Sequence, residues 1–181
     1  MRPDPVITHM VAAALAMLLL VGAWQKLRDQ AAFRSALEAY DIVPASGLTA
    51  TCAWLLPIAE VVAGVALTID SVRSLGVMLG TAILTVVTAA VIVNLRRGRS
   101  DLSCGCGGIE DEQTLSWLLV GRNGGLLALF ALVSLTPATR ALVWLDYVTI
   151  AAGGCAIYGL YAMLNQLFAN QPRLMRLRSL A

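Results

Sequence analysis

Hydrophobic positions fall into five long runs, about 6–25, 47–69, 75–95, 115–135 and 142–164, separated by short polar or proline-bearing intervals. Val6 to Gln25 carries no formal charge and is close to the roughly 20 residues that cross a hydrocarbon core. Its apolar stretch is longer than a signal-peptide core, and Trp24-Gln25-Lys26 is a poor cleavage context. The run therefore predicts a first span. Leu75 to Leu95 is uncharged, rich in Thr and Val, and closed by Arg96-Arg97-Gly98-Arg99. Pro57 and Glu60 lie inside the second run; the polar stretch after the first run and the Arg122-Asn123 break in the fourth blur the boundaries, so four to five spans are expected. From Lys26 to Tyr40 the pattern changes. Leu27, Phe33, Leu37 and Tyr40 recur at near-helical spacing, with Lys26, Arg28, Asp29, Arg34 and Glu38 on the other faces. That pattern predicts an amphipathic helix lying on the membrane surface and ending near Val43-Pro44. Small residues, among them Gly76 and Gly80 in GxxxG spacing and the Gly153-Gly154 pair, permit close helix packing.

The expected fold class is an all-α, polytopic membrane helical bundle, with four to five transmembrane helices and one amphipathic surface helix. No internal repeat or low-complexity linker divides the chain, so residues 1–181 are expected to form a single integral-membrane domain. Composition agrees. Of the 181 residues 59% are hydrophobic and 13% charged, with a mean hydropathy of +0.77; soluble domains carry roughly 25% charged residues. The lipid bilayer is thus the first partner. A net charge of +2 without a basic patch argues against nucleic acid.

Basic residues also predict an orientation. With five spans, Arg2, Arg73 and Arg140 fall on one face, and Lys26, Arg28, Arg34, Arg96, Arg97, Arg99, Arg173, Arg176 and Arg178 on the other. The positive-inside rule places the second face, with the C-terminus, in the cytoplasm.

The longest polar interval, 96–114, contains Ser103-Cys104-Gly105-Cys106-Gly107-Gly108. Glycine between and after the thiols lets the backbone bend enough for the sulfurs to meet, or for a partner's cysteine to approach. Three readings stand at this stage. A redox pair would cycle between dithiol and strained, oxidising disulfide. A metal site would need two further ligands at suitable spacing, and the single histidine, His9, is far away in sequence. Two incidental loop cysteines are the third. Arg96, Arg97 and Arg99 favour the thiolate, and Glu110, Asp111 and Glu112 oppose it.

Cys52 is a candidate resolving thiol, although a lone cysteine in an apolar helix is more often a small buried hydrophobe. Cys155 reads as a packing residue. Glu60 is costly at membrane depth, which points to a buried partner or a proton path. Arg122 either snorkels to the interface or tunes a thiolate. Asp146 reads as structural.

Gly22 with Lys26-Leu27-Arg28-Asp29 and Phe33, then Tyr40 to Pro44, Pro57, Glu60 and Gly64, Cys104-Gly105-Cys106, and Arg122-Asn123 together resemble the MauE family. These are membrane proteins of methylamine-utilisation clusters, related to DoxX-like membrane proteins. The resemblance covers about residues 6–165. It implies a helper in the bacterial inner membrane that supports maturation of the disulfide-rich small subunit of methylamine dehydrogenase, with a thioredoxin-like, MauD-like periplasmic partner. Cys104 and Cys106 would exchange electrons with that partner. A periplasmic partner calls for an outward loop, against the charge count. Two alternatives remain: a non-redox membrane anchor, and a quinone-linked oxidoreductase with Glu60 and Arg122 near the quinone.

Overall fold

The computed structural model describes residues 3–42, 46–100, 102, 115–138 and 140–178. Among them the regular elements are helical: α1 (Pro5–Arg28), α2 (Gln30–Ala39), α3 (Ser46–Thr68), a 3-10 turn at Asp70–Val72, α4 (Arg73–Arg96), α5 (Trp117–Ser134) and α6 (Trp144–Arg178). Five helices are long and apolar enough to cross a membrane, ending at Arg28, Thr68, Arg96, Ser134 and Leu167. The protein is a multi-pass membrane protein. Arg122 and Asn123 do not interrupt the fourth span, because their polar groups find partners inside the bundle, as described below.

Helix α1 is the hub. Asp4 caps it, its carboxylate accepting from the Val6 N–H at 2.8 Å, with Pro5 in the first turn, where a missing N–H costs nothing. Apolar side chains surround α1, as expected of a central helix, and it packs against α3, α5 and α6. Val11, Leu15, Ala16 and Leu19 meet Ala63 and Leu67 of α3 and Leu126 and Phe130 of α5 in one buried cluster. Glycine sets the spacing on α4. A Cβ on Gly76 would stand 2.7 Å from the Leu67 amide nitrogen of α3, and one on Gly80 would stand 2.5 Å from the Phe130 ring.

Charged residues tie the two ends. At the N-terminal end the Ala138 N–H donates to the Pro3 carbonyl (2.9 Å), and Arg140 lies 3.5 Å from Asp4 and 3.1 Å from Asp146. The Asp146 carboxylate also accepts from the Val143 N–H at 2.9 Å, so the structural role expected of it holds. At the other end α2 stops at Asp41, in the left-handed region with φ 49°, which aspartate tolerates better than most residues. The Asp41 carbonyl accepts from Arg97 (3.2 Å), and its carboxylate lies 3.9 Å from Arg99.

Two expectations are corrected. The predicted surface helix begins too early, and its apolar face turns to the bundle. Asp29 breaks the chain between α1 and α2 because its carboxylate accepts from the Ala32 N–H at 3.0 Å, capping a new helix. Lys26 therefore belongs to α1 and is buried, while Phe33 and Tyr40 turn toward the bundle. Arg28, Arg34 and Glu38 stay on the exposed side as predicted, the last two paired at 2.9 Å. Cys155, expected to pack, is exposed. Neighbouring Gly154 is buried against α1 instead, where an added Cβ would stand 3.1 Å from the Ala13 methyl.

Candidate functional site

All six helices contribute to one cavity of about 410 Å³, within the roughly 300–1,000 Å³ of small-molecule sites. Most of its wall is aliphatic or aromatic, with Phe33 and Tyr40 from α2, Phe130 from α5, and Tyr158 and Tyr161 from α6. Two polar clusters interrupt this wall.

The first is an ion pair. Lys26 of α1 donates to both carboxylate oxygens of Glu60 on α3, at 2.6 and 2.8 Å. Lys26 is only 8% exposed and Glu60 5%. Burial of either charge alone is expensive, and the bidentate pairing offsets that cost. The Phe33 ring centroid lies 5.7 Å from the ammonium, adding a cation–π contact. Gly22, one turn before Lys26, leaves this corner open.

The second cluster is built on Arg122 of α5. Its Nε and Nη2 donate to Asn123 Oδ1 (3.3 and 3.2 Å), and Nη1 donates to Asn165 Oδ1 of α6. The Tyr161 ring centroid lies 5.7 Å from the guanidinium. Asn123, 2% exposed, donates to the Thr88 hydroxyl on α4 at 3.0 Å, which donates to the Leu84 carbonyl at 2.6 Å. Arg122 thus links α5 to α6, whereas α6 packs chiefly on α1.

A proline shapes the wall between α2 and α3. Pro57 inside α3 has no N–H for the Ala53 carbonyl four residues back. The Gln30 side-chain amide donates to that carbonyl at 2.8 Å. The helix defect becomes the joint that holds α2 against α3.

Of the residues singled out from sequence, Glu60 and Arg122 meet at this cavity. Cys52 is half-buried on α3 and is not part of its wall. Cys104 and Cys106 lie outside the described residues. Their flanks are described: the Leu115 N–H donates to the Leu102 carbonyl at 3.0 Å, and both leucines pack with Tyr40 and Ala90, which also line the cavity. Sequence reasoning named Lys26 but not its pairing with Glu60, and missed Gln30, Asn165 and Tyr161. One signal pointed to Lys26: a carboxylate within an apolar span needs a cation, and Lys26 is the first charge after the first span.

The family model described as "Methylamine utilisation protein MauE" matches residues 4–137. Among curated proteins, the chain is 34% identical over 160 residues to a methylamine utilization protein MauE of Methylorubrum extorquens, covering 87% of this chain and 86% of the relative. It is 30% identical over 173 residues to the protein of that name from Paracoccus versutus, covering 93% and 92%. The Paracoccus denitrificans protein is also 30% identical, over 172 residues. No solved structure matches.

Proposed function

The chain belongs to the MauE family of methylamine utilisation proteins, and from that premise we propose that it is a thiol–disulfide relay of the bacterial inner membrane. It supports maturation of a periplasmic protein of the kind represented by the methylamine dehydrogenase small subunit, together with a thioredoxin-like, MauD-like partner. Cys104 and Cys106 are the exchanging pair, and the C-terminus is cytoplasmic.

The observation that carries this reading is the rooting of the dithiol segment. The Leu102–Leu115 hydrogen bond closes its base, and that base packs against residues of the polar cavity. Cys104 is two residues along the chain from Leu102. In the oxidising direction, a partner thiolate attacks one sulfur of the Cys104–Cys106 disulfide and forms a mixed disulfide. The partner's second thiolate then displaces that sulfur. The partner leaves oxidised, its two electrons pass to Cys104 and Cys106, and that pair takes up two protons to become the dithiol. Of the nearby arginines, Arg97 and Arg99 engage Asp41. Cys52, near the start of α3, is the candidate resolving thiol, and Glu60 and Arg122 tune the site from the cavity.

The non-redox anchor reading places Lys26 and Arg28 on a partner-holding surface helix; Lys26 is buried against Glu60, and Arg28 is exposed. Substitution of the cysteines separates the two. Cys104→Ser and Cys106→Ser are each expected to leave the protein at normal abundance in the membrane and to abolish partner maturation, scored by partner activity and non-reducing electrophoresis. Normal maturation in both variants overturns the relay.

A further inference from the structure

Among the described residues Lys26, Glu60 and Arg122 are the charged side chains that line the cavity, and they do not sum to zero. Lys26 and Glu60 cancel. Arg122 is held among the described residues by Asn123, Asn165 and the Tyr161 ring, all neutral. A positive charge thus faces a largely apolar space inside a membrane bundle, a costly arrangement that marks sites for ligands or ions. Its partners also fix the guanidinium in place. Asn123 is buried and anchored on the Thr88 hydroxyl at 3.0 Å. Three of the five N–H groups are committed to the two amides, and one remains on each terminal nitrogen, enough to reach two oxygens of one oxyanion.

The cavity is graded from polar to apolar along the helices. Arg122 is five residues from Trp117, the start of α5, or about 8 Å at the helical rise. Two turns deeper stands Phe130, packed with Leu19 of α1 and Ile83 of α4. The way in lies between α1 and α6. At Gly154 these helices touch, an added Cβ standing 3.1 Å from the Ala13 methyl. One turn on, the same face of α6 presents Tyr158, Tyr161 and Asn165 to the cavity. Val21 of α1 and Ala162 and Gln166 of α6 also line it and are exposed, all three inside membrane spans. The two helices part toward the polar end, and the cavity opens at the level of the bilayer.

We propose that this cavity binds an anionic amphiphile of the membrane, its oxyanion on Arg122 and its apolar chain laid toward Phe130. A neutral chain leaves the guanidinium uncompensated, and a cationic head adds a second positive charge. A small inorganic anion leaves the apolar depth unused. A fatty-acid carboxylate and a phospholipid phosphate share the required chemistry, an oxyanion carried on an apolar chain. No thiol takes part, so the site stands apart from the relay.

The test is native mass spectrometry of the full-length chain, released from neutral maltoside micelles that contain laurate, dodecyl phosphate or dodecanol at equal concentration. One retained equivalent is expected for each anion and none for the alcohol. Affinity for the anions falls roughly tenfold or more in Arg122→Gln, and likewise in Val87→Trp, which fills the cavity from α4 and leaves the guanidinium in place. Arg34→Gln, which removes a half-exposed cation from α2, binds as the wild type does. Two cavity variants keep the test decisive where one of them fails to fold. Equal retention of dodecanol, no retained anion, or affinity unchanged in both cavity variants overturns the site. A parallel titration with phosphatidylglycerol separates the sources. A retained phospholipid that both cavity variants lose assigns the site to a lipid phosphate, and retention of laurate without phosphatidylglycerol assigns it to a free fatty-acid carboxylate.

Discussion

Lys26 and Glu60 are the residues on which the cavity depends. Each is buried and each has the other as its counter-charge, so truncating one strands the other. Lys26→Met or Glu60→Leu alone is expected to cost about 3–5 kcal/mol, and the double replacement far less, because no buried charge then remains. Thermal unfolding in detergent checks this; additive losses in the double variant contradict it. That Glu60 needs a partner is legible in the sequence, since a carboxylate in an apolar span has few alternatives. Its partner is not legible, because Lys26 also fits the periodicity of the amphipathic stretch after it. Only the carboxylate of Asp29, by capping α2, transfers Lys26 to α1. The second polar cluster was half legible. Arg122-Asn123 is conspicuous in an apolar run, but Asn165 is remote in sequence and Thr88 is ordinary in a Thr- and Val-rich helix.

At the scale of elements, α2 illustrates how one backbone defect organises its neighbour. Pro57 frees the Ala53 carbonyl, and Gln30 takes it. Gln30→Leu is expected to cost about 1–3 kcal/mol, the penalty for an unpaired buried acceptor. With Pro57→Ala the Ala53 carbonyl regains its helical donor, and Gln30→Leu becomes close to neutral. A double-mutant cycle by thermal unfolding measures that coupling; equal Gln30→Leu costs in both backgrounds contradict the joint. The spans themselves were legible nearly to their ends, because apolar length alone dictates them. The facing of α2 was not. Phe33 and Tyr40 read equally well as lipid anchors, and the choice between lipid and bundle is made by the groups that receive them, Lys26 for Phe33 and Val91, Leu115 and Leu119 for Tyr40.

The five-span arrangement brings Asp4, His9, Asp70, Arg73 and Arg140 to one end, and Asp41, Arg97, Arg99 and the base of the dithiol segment to the other. The basic residues sort by end as the alternation of spans requires. A cytoplasmic C-terminus then puts the Cys104–Cys106 end of the bundle on the inner side, and a periplasmic partner exchanges with the pair only when helix movement on docking opens it to the outer face. The reverse orientation gives direct exchange. A membrane-impermeant maleimide, applied to intact cells with and without prior reduction, is expected to spare both cysteines until the cells are opened; labelling in intact cells after reduction reverses the orientation. The central claim, that this pair exchanges disulfides with a thioredoxin-like protein, is tested most directly by trapping the intermediate. Cys104→Ser and Cys106→Ser are each expressed with the partner, and the cells are acid-quenched, alkylated and run without reductant. The relay predicts that at least one variant carries the partner in an adduct that dithiothreitol releases. No adduct in either variant, with both proteins present at normal levels, contradicts it.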